Sequence, residues 1–243
     1  MKMLPRLPCL CVIGFFLVAA RASSASSVVA SYLFINSSAA SSDSDPSTAG
    51  NFTVSIASPN GGISVTSGNG GYLKANVAGA GITGTTAQKE SAAITNGTYY
   101  SFTITPAAGT ALQLTSLTFN LGGSANSQGN FIVSAFLRTS VDNFSANTGT
   151  ITSGSYSVPN DGNAHFNSTG TNIDLSGLSS IAGTTTLEIY SYINTSNSGG
   201  VYARINNVML NATTIPIPEP STYALGLGAF TGLFAFSRRR KRL

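Results

Sequence analysis

The sequence predicts an all-β fold, and three observations lead to that prediction. Short runs rich in Val, Ile, Thr, Tyr and Phe alternate with clusters of Gly, Asn, Ser and Pro over residues 50–214. Several of these runs alternate apolar and polar residues with a period of two, as half-buried strands do. No long segment before residue 215 shows helical periodicity. Strands of this kind without helices are typical of an antiparallel β-sandwich, and we expect a jelly-roll-like form.

The predicted strands follow one another at short intervals along this region. They are Phe52–Ala57, Gly71–Val77, Tyr99–Thr105, Leu112–Leu121, Asn130–Thr139, Ala164–Ser168, Thr185–Ile193 and Val201–Leu210, and Val28–Ile35 is a possible further strand. Turn signals lie between them at Pro59-Asn60-Gly61-Gly62, Gly122-Gly123 and Pro159-Asn160-Asp161-Gly162.

Two of these strands change parity along their length. In Val201–Leu210 the apolar residues have odd numbers up to Ile205 and even numbers from Val208. A slip of one residue moves side chains to the other face of a sheet, so we predict a β-bulge at the two asparagines in between. Leu112–Leu121 shows the same slip.

The N-terminus has the three-part layout of a secretory signal peptide. Met1–Pro8 is basic, Cys9–Ala20 is an uncharged apolar run, and Ala20-Arg21-Ala22 supplies small residues for cleavage before Ser23. Residues 1–22 are therefore predicted to form a signal helix that signal peptidase removes. Both cysteines are lost with it, and residues 23–49 follow as a Ser/Ala-rich segment.

The C-terminal residues 215–243 combine three features in a fixed order. Prolines 216, 218 and 220 favour an extended, accessible chain from Ile215 to Ser221. Tyr223–Phe236 is apolar or small and predicts a short transmembrane helix. A basic cluster that resists translocation follows, formed by Arg238, Arg239, Arg240, Lys241 and Arg242.

The charge is concentrated at the two ends of the chain. The formal net charge is +4, yet between Ser23 and Ile217 four basic side chains stand against seven acidic ones, which gives −3. No basic patch is available there to follow a phosphate backbone, so nucleic-acid binding is excluded.

Pro218-Glu219-Pro220, the short apolar run and the basic cluster together resemble the PEP-CTERM sorting tail of exported proteins. The resemblance covers about an eighth of the chain. It implies that an exosortase, a membrane-embedded cysteine protease, recognises the tail and cuts near the Pro-Glu-Pro motif. It also implies an inner-membrane anchor before cleavage, release to the cell surface or the exterior afterwards, and an association with exopolysaccharide.

Three further segments are similar to segments of secreted jelly-roll domains that carry such tails. They are Ser116–Asn120, Phe136–Phe144 and Arg204–Leu210. In those domains the last segment often reads Arg-Ile-Asp-Asn-Val, whereas Asn206 stands at the Asp position here.

The residues available for chemistry predict no enzyme and no cofactor. His165 is the only histidine, and its neighbours alternate as in a strand. Calcium is the most plausible ion, with Asp142, Asn143, Asp161 or Asp174 as oxygen ligands. No Asp-x-Asp-x-Asp-Gly loop is present, so these residues are better interpreted as turn residues.

We therefore expect a non-catalytic exported surface or matrix protein. The alternative is a carbohydrate-binding module, for which Tyr190 and Tyr192 are the obvious aromatic pair. Arg138 and Glu188 are rare charges in the middle of strands, and we expect them to pair if their strands are neighbours.

Overall fold

The computed structural model describes residues 25–34, 52–54, 58–59, 63–66, 72–76, 84–125, 129–152, 156–158, 165–193 and 201–217. These ranges contain fourteen strands and one α-helix. The elements in chain order are β1 (Ser27–Tyr32), β2 (Phe52–Val54), β3 (Ser58–Pro59), β4 (Ile63–Thr66), β5 (Tyr72–Asn76), α1 (Thr86–Thr95), β6 (Tyr99–Pro106), β7 (Thr110–Ala125), β8 (Gly129–Phe131), β9 (Val133–Thr139), β10 (Thr148–Thr152), β11 (Tyr156–Val158), β12 (His165–Asp174), β13 (Thr185–Ile193) and β14 (Val201–Pro216).

The strands form two six-stranded antiparallel sheets and one small pair. The first sheet has the order β12-β7-β14-β5-β4, and β1 also pairs with β14. The second has the order β10-β9-β13-β6-β2, and β3 also pairs with β6, while β8 and β11 form the small pair. Buried apolar side chains from both sheets, including Leu117, Phe119, Ile104 and Leu187, belong to one core cluster. The predicted all-β fold is confirmed, and its two sheets are consistent with a β-sandwich.

The strand predictions differ from the structure mainly in length. Thr185–Ile193 is a strand over its predicted range, whereas β7 and β14 each extend to 16 residues. The predicted strand Asn130–Thr139 is interrupted at Ile132. Strands β3, β4, β10 and β11 were not predicted, because each has five residues or fewer and is rich in polar or small residues.

Both predicted bulges are present. The register between β14 and β7 shifts between Asn206 and Met209, and Asn207 has a φ of 52°. A second shift occurs where Asn211 pairs with Ser116 and the next residue of β14 pairs with Leu114. Each extra residue restores the apolar face of its strand to the core, which explains the parity changes in the sequence.

Gly122 and Gly123 lie inside β7, so the turn predicted at this pair is wrong. Strand β12 passes so close that a Cβ on Gly122 would overlap the carbonyl oxygen of His165 and lie 2.7 Å from the Cα of Phe166. The glycine at 122 is therefore required by the close approach of two backbones, which is the other common reason for glycine in a strand.

Helix α1 was not predicted. Its N-terminus has a capping box, in which Thr85 Oγ1 accepts from the N–H of Gln88 and Gln88 Oε1 accepts from the N–H of Thr85. Ala93 is its one buried residue and Ile94 is half-buried, so its apolar stripe is narrow. A helix with so few large apolar residues gives a weak periodic signal, which is why the sequence did not reveal it.

The predicted signal helix and the predicted helix of the C-terminal tail lie outside the described residues. Within the described ranges, no helix has the length and apolar character needed to cross a bilayer.

Candidate functional site

The last strand leads directly into the Pro-Glu-Pro motif. At the end of β14, Ile215 pairs with Ala111 and Pro216 pairs with Thr110. The backbone N–H of Ile217 then donates to the carbonyl oxygen of Gly109 over 2.8 Å. Ile215 and Pro216 are thus extended, as expected, but they are also part of the sheet, and the hydrogen bond of Ile217 continues from them. Ile217 makes the last described backbone hydrogen bond, and the next residue is Pro218, the first proline of the motif.

Gly109 shapes the turn that receives the end of β14. This turn, Ala107–Gly109, connects β6 in one sheet to β7 in the other. Gly109 has a φ of 76°, in the left-handed region that favours glycine. The N–H and the hydroxyl of Thr110 both donate to the carbonyl oxygen of Ala107, over 3.0 and 2.7 Å. A closed turn therefore supports the strand end before the motif.

Strand β14 is held along most of its length. β7 pairs with one edge over its whole length, and β5 and β1 pair with different parts of the other edge. Because a strand paired on both edges leaves the sheet only when many hydrogen bonds break together, β14 is a firm attachment for the tail.

Asn206 connects β14 to its neighbours through an amide network. Asn120 Nδ2 donates to Asn206 Oδ1 over 2.9 Å, and Asn120 Oδ1 accepts from the N–H of Gly170 over 2.9 Å. Asn120 lies on β7, so this one side chain links three adjacent strands at the bulge. An aspartate at position 206 could accept the same hydrogen bond. The hydrogen bond from Asn120 thus gives the side chain at position 206 a structural role.

Arg204, two residues earlier on β14, is 2% exposed. Its Nε donates to Ser124 Oγ over 2.9 Å, its Nη2 contacts the same oxygen, and its guanidinium carbon lies 5.2 Å from the centre of the Tyr202 ring. The alternation of the strand placed Arg204 on a polar face and gave no sign of its burial. This arginine instead supports the first part of β14 through a hydrogen bond and a cation–π contact.

The aromatic pair predicted for a carbohydrate site is buried. Tyr190 is 4% exposed and Tyr192 is 1% exposed. The Phe136 ring stacks on Tyr190 at 5.1 Å and 8°, and the Tyr99 ring lies 5.0 Å from that of Tyr190. A sugar ring cannot stack on either tyrosine in this arrangement, because stacking needs an open ring face.

Helix α1 contacts β13, the strand of these tyrosines. Its Glu90 carboxylate accepts from Asn147 Nδ2 over 2.7 Å and from Thr150 Oγ1 over 2.9 Å. These contacts tie the helix to the β9–β10 side of the second sheet. The sequence contained no apolar pattern that would have indicated a helix packed here.

Arg138 and Glu188 are directly opposite each other, because β9 and β13 are neighbours. The hydrogen bond of the Glu188 carboxylate comes from the Tyr190 hydroxyl, over 2.8 Å. Burial raises the pKa of Tyr190, and Glu188 raises it further. The two strands are neighbours, as the expected pair requires, but no ion pair joins these two described side chains. The Nε of Arg138 is buried without a hydrogen-bond partner among the described residues, and the Glu188 carboxylate supports the buried tyrosine instead.

The predicted oxygen ligands lie in turns. Asp142 Oδ2 accepts from the N–H of Ala146 over 2.9 Å and from Ser145 Oγ over 3.2 Å, and Asn143 has a φ of 58°. Asp174 Oδ1 accepts from the N–H of Ser176 over 2.9 Å. The hydrogen bonds from Ser176 lower the pKa of Asp174. Among the described residues, no group of three or more His, Cys, Asp or Glu side chains could hold a metal ion.

His165 is the first residue of β12, where it is half-buried and pairs with Gly123. The remaining predicted site residues lie outside the described ranges: Asp161, the cleavage residues Ala20, Ala22 and Ser23, the motif Pro218-Glu219-Pro220 and the cluster Arg238–Arg242.

Residues 216–241 match the PEP-CTERM protein-sorting motif. The matched range includes Pro218-Glu219-Pro220 and the first four residues of the basic cluster. This motif implies an exported protein that an exosortase sorts to the cell envelope. No curated protein matches the chain.

Proposed function

We propose that this chain is a non-catalytic protein of the cell surface or extracellular matrix. Exosortase cuts it near Pro218-Glu219-Pro220, and the released sandwich then associates with exopolysaccharide or the cell envelope. The observation that supports this proposal best is the position of the motif. Strand β14 reaches Pro216 and the Ile217–Gly109 hydrogen bond lies directly before Pro218, so the matched sorting motif continues from the last strand of the sandwich.

Three processing steps follow from the charges and hydropathy of the two ends. The signal peptide, residues 1–22, directs export, and signal peptidase cuts before Ser23. Tyr223–Phe236 then holds the protein in the inner membrane, and Arg238–Arg242 stays in the cytoplasm because moving a block of positive charge across the membrane is costly. The extended Pro-Glu-Pro motif is left on the outer side, within reach of a membrane-embedded protease.

None of the described backbone pairs of the last strand depends on the tail beyond residue 217. Every described backbone pair of β14 involves residue 216 or an earlier residue, and the last hydrogen bond belongs to Ile217. Cleavage near Pro218 therefore costs the sheet none of these contacts. Glu219 is a recognition group in this scheme.

The non-catalytic part of the proposal is supported by how the described carboxylates are used. Glu90, Asp142, Asp174 and Glu188 each accept hydrogen bonds that close a turn, tie α1 to the sheet or support a buried tyrosine. A pair of carboxylates poised for acid–base chemistry would instead face a common cleft.

The motif can be tested by fractionating cells of a host that has an exosortase. The wild-type full chain is expected in the surface or extracellular fraction, and Glu219→Ala combined with Pro218→Ala and Pro220→Ala is expected to stay in the membrane fraction. Ile217→Ala is the matched control, since it leaves the motif and the backbone N–H unchanged. An identical distribution of all three proteins would refute exosortase sorting.

Binding to exopolysaccharide needs a separate test. We expect the processed protein to co-sediment with exopolysaccharide from such a host and to give no signal on isolated oligosaccharides, since the Tyr190 and Tyr192 rings are covered. Absence from the exopolysaccharide pellet would remove that part of the proposal.

A further inference from the structure

Both ends of the described fold leave the sandwich on the same side. Strand β1 runs antiparallel to β14, and Ser27 pairs with Ala212. Ser26 Oγ and Thr115 Oγ1 form a hydrogen bond of 2.8 Å just beyond this pair. Ile217 is five residues past Ala212 and Ala25 is two residues before Ser27, so the two exits differ by about 10 Å along the strands.

The turns around these exits define one end of the sandwich, which we call the exit end. It consists of Ala25–Ser27, Ala107–Gly109, Ser176–Thr184 and Pro216–Ile217. The Ile181 segment belongs to it, because Ile181 bridges to Leu112 and the Thr184 hydroxyl bonds to that of Thr105 over 2.9 Å.

The four segments of the exit end consist of Ser, Ala, Gly, Leu, Ile, Thr and Pro, and the carboxylates of Asp142 and Asp174 lie in the turns beside them. Among the described residues, the exposed large apolar side chains are Val28 at 39% and Ile217 at 41%. Ile217 belongs to the exit end, and Val28 directly follows Ser27. The two exits are therefore flanked by uncharged, partly apolar segments, which carry little desolvation cost where they meet lipid headgroups.

The length of the tail restricts what can face this end. Five residues lie between Ile217 and Tyr223, where the apolar run begins. Fully extended, that stretch spans at most about 20 Å. Strand β6 alone, with eight residues, is about 26 Å long. A sandwich on this tether cannot turn its opposite end to the membrane.

We propose that the exit end lies against the phospholipid surface of the membrane before exosortase cuts the tail. This inference rests on the proposed function, which puts the tail helix in the bilayer.

Fluorescence quenching by lipid tests the orientation. The full chain, with Cys9→Ser and Cys11→Ser, receives one cysteine by Ala108→Cys at the exit end or by Asn96→Cys at the opposite end of β6. Each cysteine carries a fluorophore, and the proteins are reconstituted in phosphatidylcholine vesicles with spin-labelled headgroups. Quenching is expected to be severalfold stronger at position 108. A long Gly/Ser spacer between Ile217 and Pro218 is expected to abolish the difference.

Vesicle flotation separates the two ways in which the test can fail. If the chain does not float with the vesicles, the tail is not in the membrane, and both the proposed function and this inference are wrong. If it floats but positions 108 and 96 are quenched equally, only the inference is overturned. Matching thermal unfolding of both labelled proteins ensures that the comparison concerns the folded sandwich.

Discussion

Ile217 donates its backbone N–H to the carbonyl oxygen of Gly109 over 2.8 Å, and the next residue is Pro218. The described hydrogen-bonded sheet therefore reaches the residue next to the sorting motif. The last described strand thus leads directly to the motif that exosortase is proposed to recognise. The proposal that the tail is a processing signal depends on that boundary.

The first prediction concerns the spacing between the sheet and the motif. Deletion of Ile215–Ile217 would pull Pro218 into the end of β14 and is expected to slow processing, because a protease needs an extended segment clear of a folded sheet. A variant with Gly-Ser-Gly-Ser inserted before Pro218 is the matched control, and we expect it to be processed at least as fast as the wild type. Pulse-chase labelling measures the precursor fraction. Equal rates for the deletion and the insertion would contradict the prediction.

The second prediction concerns Gly122. Gly122→Ala is expected to destabilise the fold by about 3 kcal/mol or more, because its Cβ would meet the backbone of β12 and two backbones cannot easily move apart. Gly177→Ala is the control, since a Cβ there meets nothing within 4 Å, and it should change stability by less than about 0.5 kcal/mol. Urea denaturation of the full chain in mild detergent measures both. Similar stabilities for the two variants would show that β12 does not approach β7 as described.

The third prediction concerns the amide network at the bulge. Asn206→Ala leaves Asn120 Nδ2 without its acceptor and is expected to cost about 1–2 kcal/mol. Asn206→Asp keeps the acceptor and should retain most of that stability, consistent with the aspartate usual in similar domains. The same denaturation experiment compares them. If the aspartate variant is as unstable as the alanine variant, the hydrogen bond to Asn120 is not what position 206 provides.

The fourth prediction concerns alkaline pH. Burial raises the pKa of Tyr32 and Tyr100 in the folded protein, whereas in the unfolded chain tyrosine titrates near 10. The unfolded state therefore loses protons first, so stability is fully present below pH 10 and falls as the pH rises further. Tyr100→Phe removes one of these tyrosines and should therefore lessen the loss of stability above pH 10. At neutral pH it should be neutral or stabilising by about 1 kcal/mol, because the Tyr100 hydroxyl has no hydrogen-bond partner in the described structure.

Tyr190→Phe is the contrasting variant, because the Tyr190 hydroxyl donates to Glu188. It is expected to cost about 1–2 kcal/mol at neutral pH, since a hydrogen bond to a carboxylate is lost. Denaturation at several pH values, with tyrosinate absorbance as the second signal, measures both variants. A Tyr100→Phe protein less stable than Tyr190→Phe would contradict the described hydrogen bonding.

The sequence predicted those parts of the fold that depend on local alternation. Parity alone located the bulge beside Asn207, because a bulge must move every later side chain of a buried strand to the other face. Gly122-Gly123 was mistaken for a turn because the composition of a turn and that of a close backbone approach are the same. Only the neighbouring strand β12, distant in sequence, distinguishes them.

In the candidate site, too, the sequence predicted features that depend on neighbouring residues and missed those that depend on residues distant in the chain. The motif around Glu219 is local and was recognised from its residues, and a match over residues 216–241 supports it. The burial of Tyr190 depends on Phe136 and Tyr99, which come from two other strands, so the sequence did not show that the aromatic pair named for the alternative carbohydrate site is buried. The buried Arg204 was missed for a similar reason, because its partner Ser124 lies 80 residues away.

Exosortase processing is best tested by the intact mass of the mature protein at the cell surface. We expect a chain that begins at Ser23 and ends near Pro218, with the apolar run and the basic cluster removed. A surface-exposed protein that still contains Arg238–Leu243 would contradict exosortase processing and leave the tail as a permanent anchor.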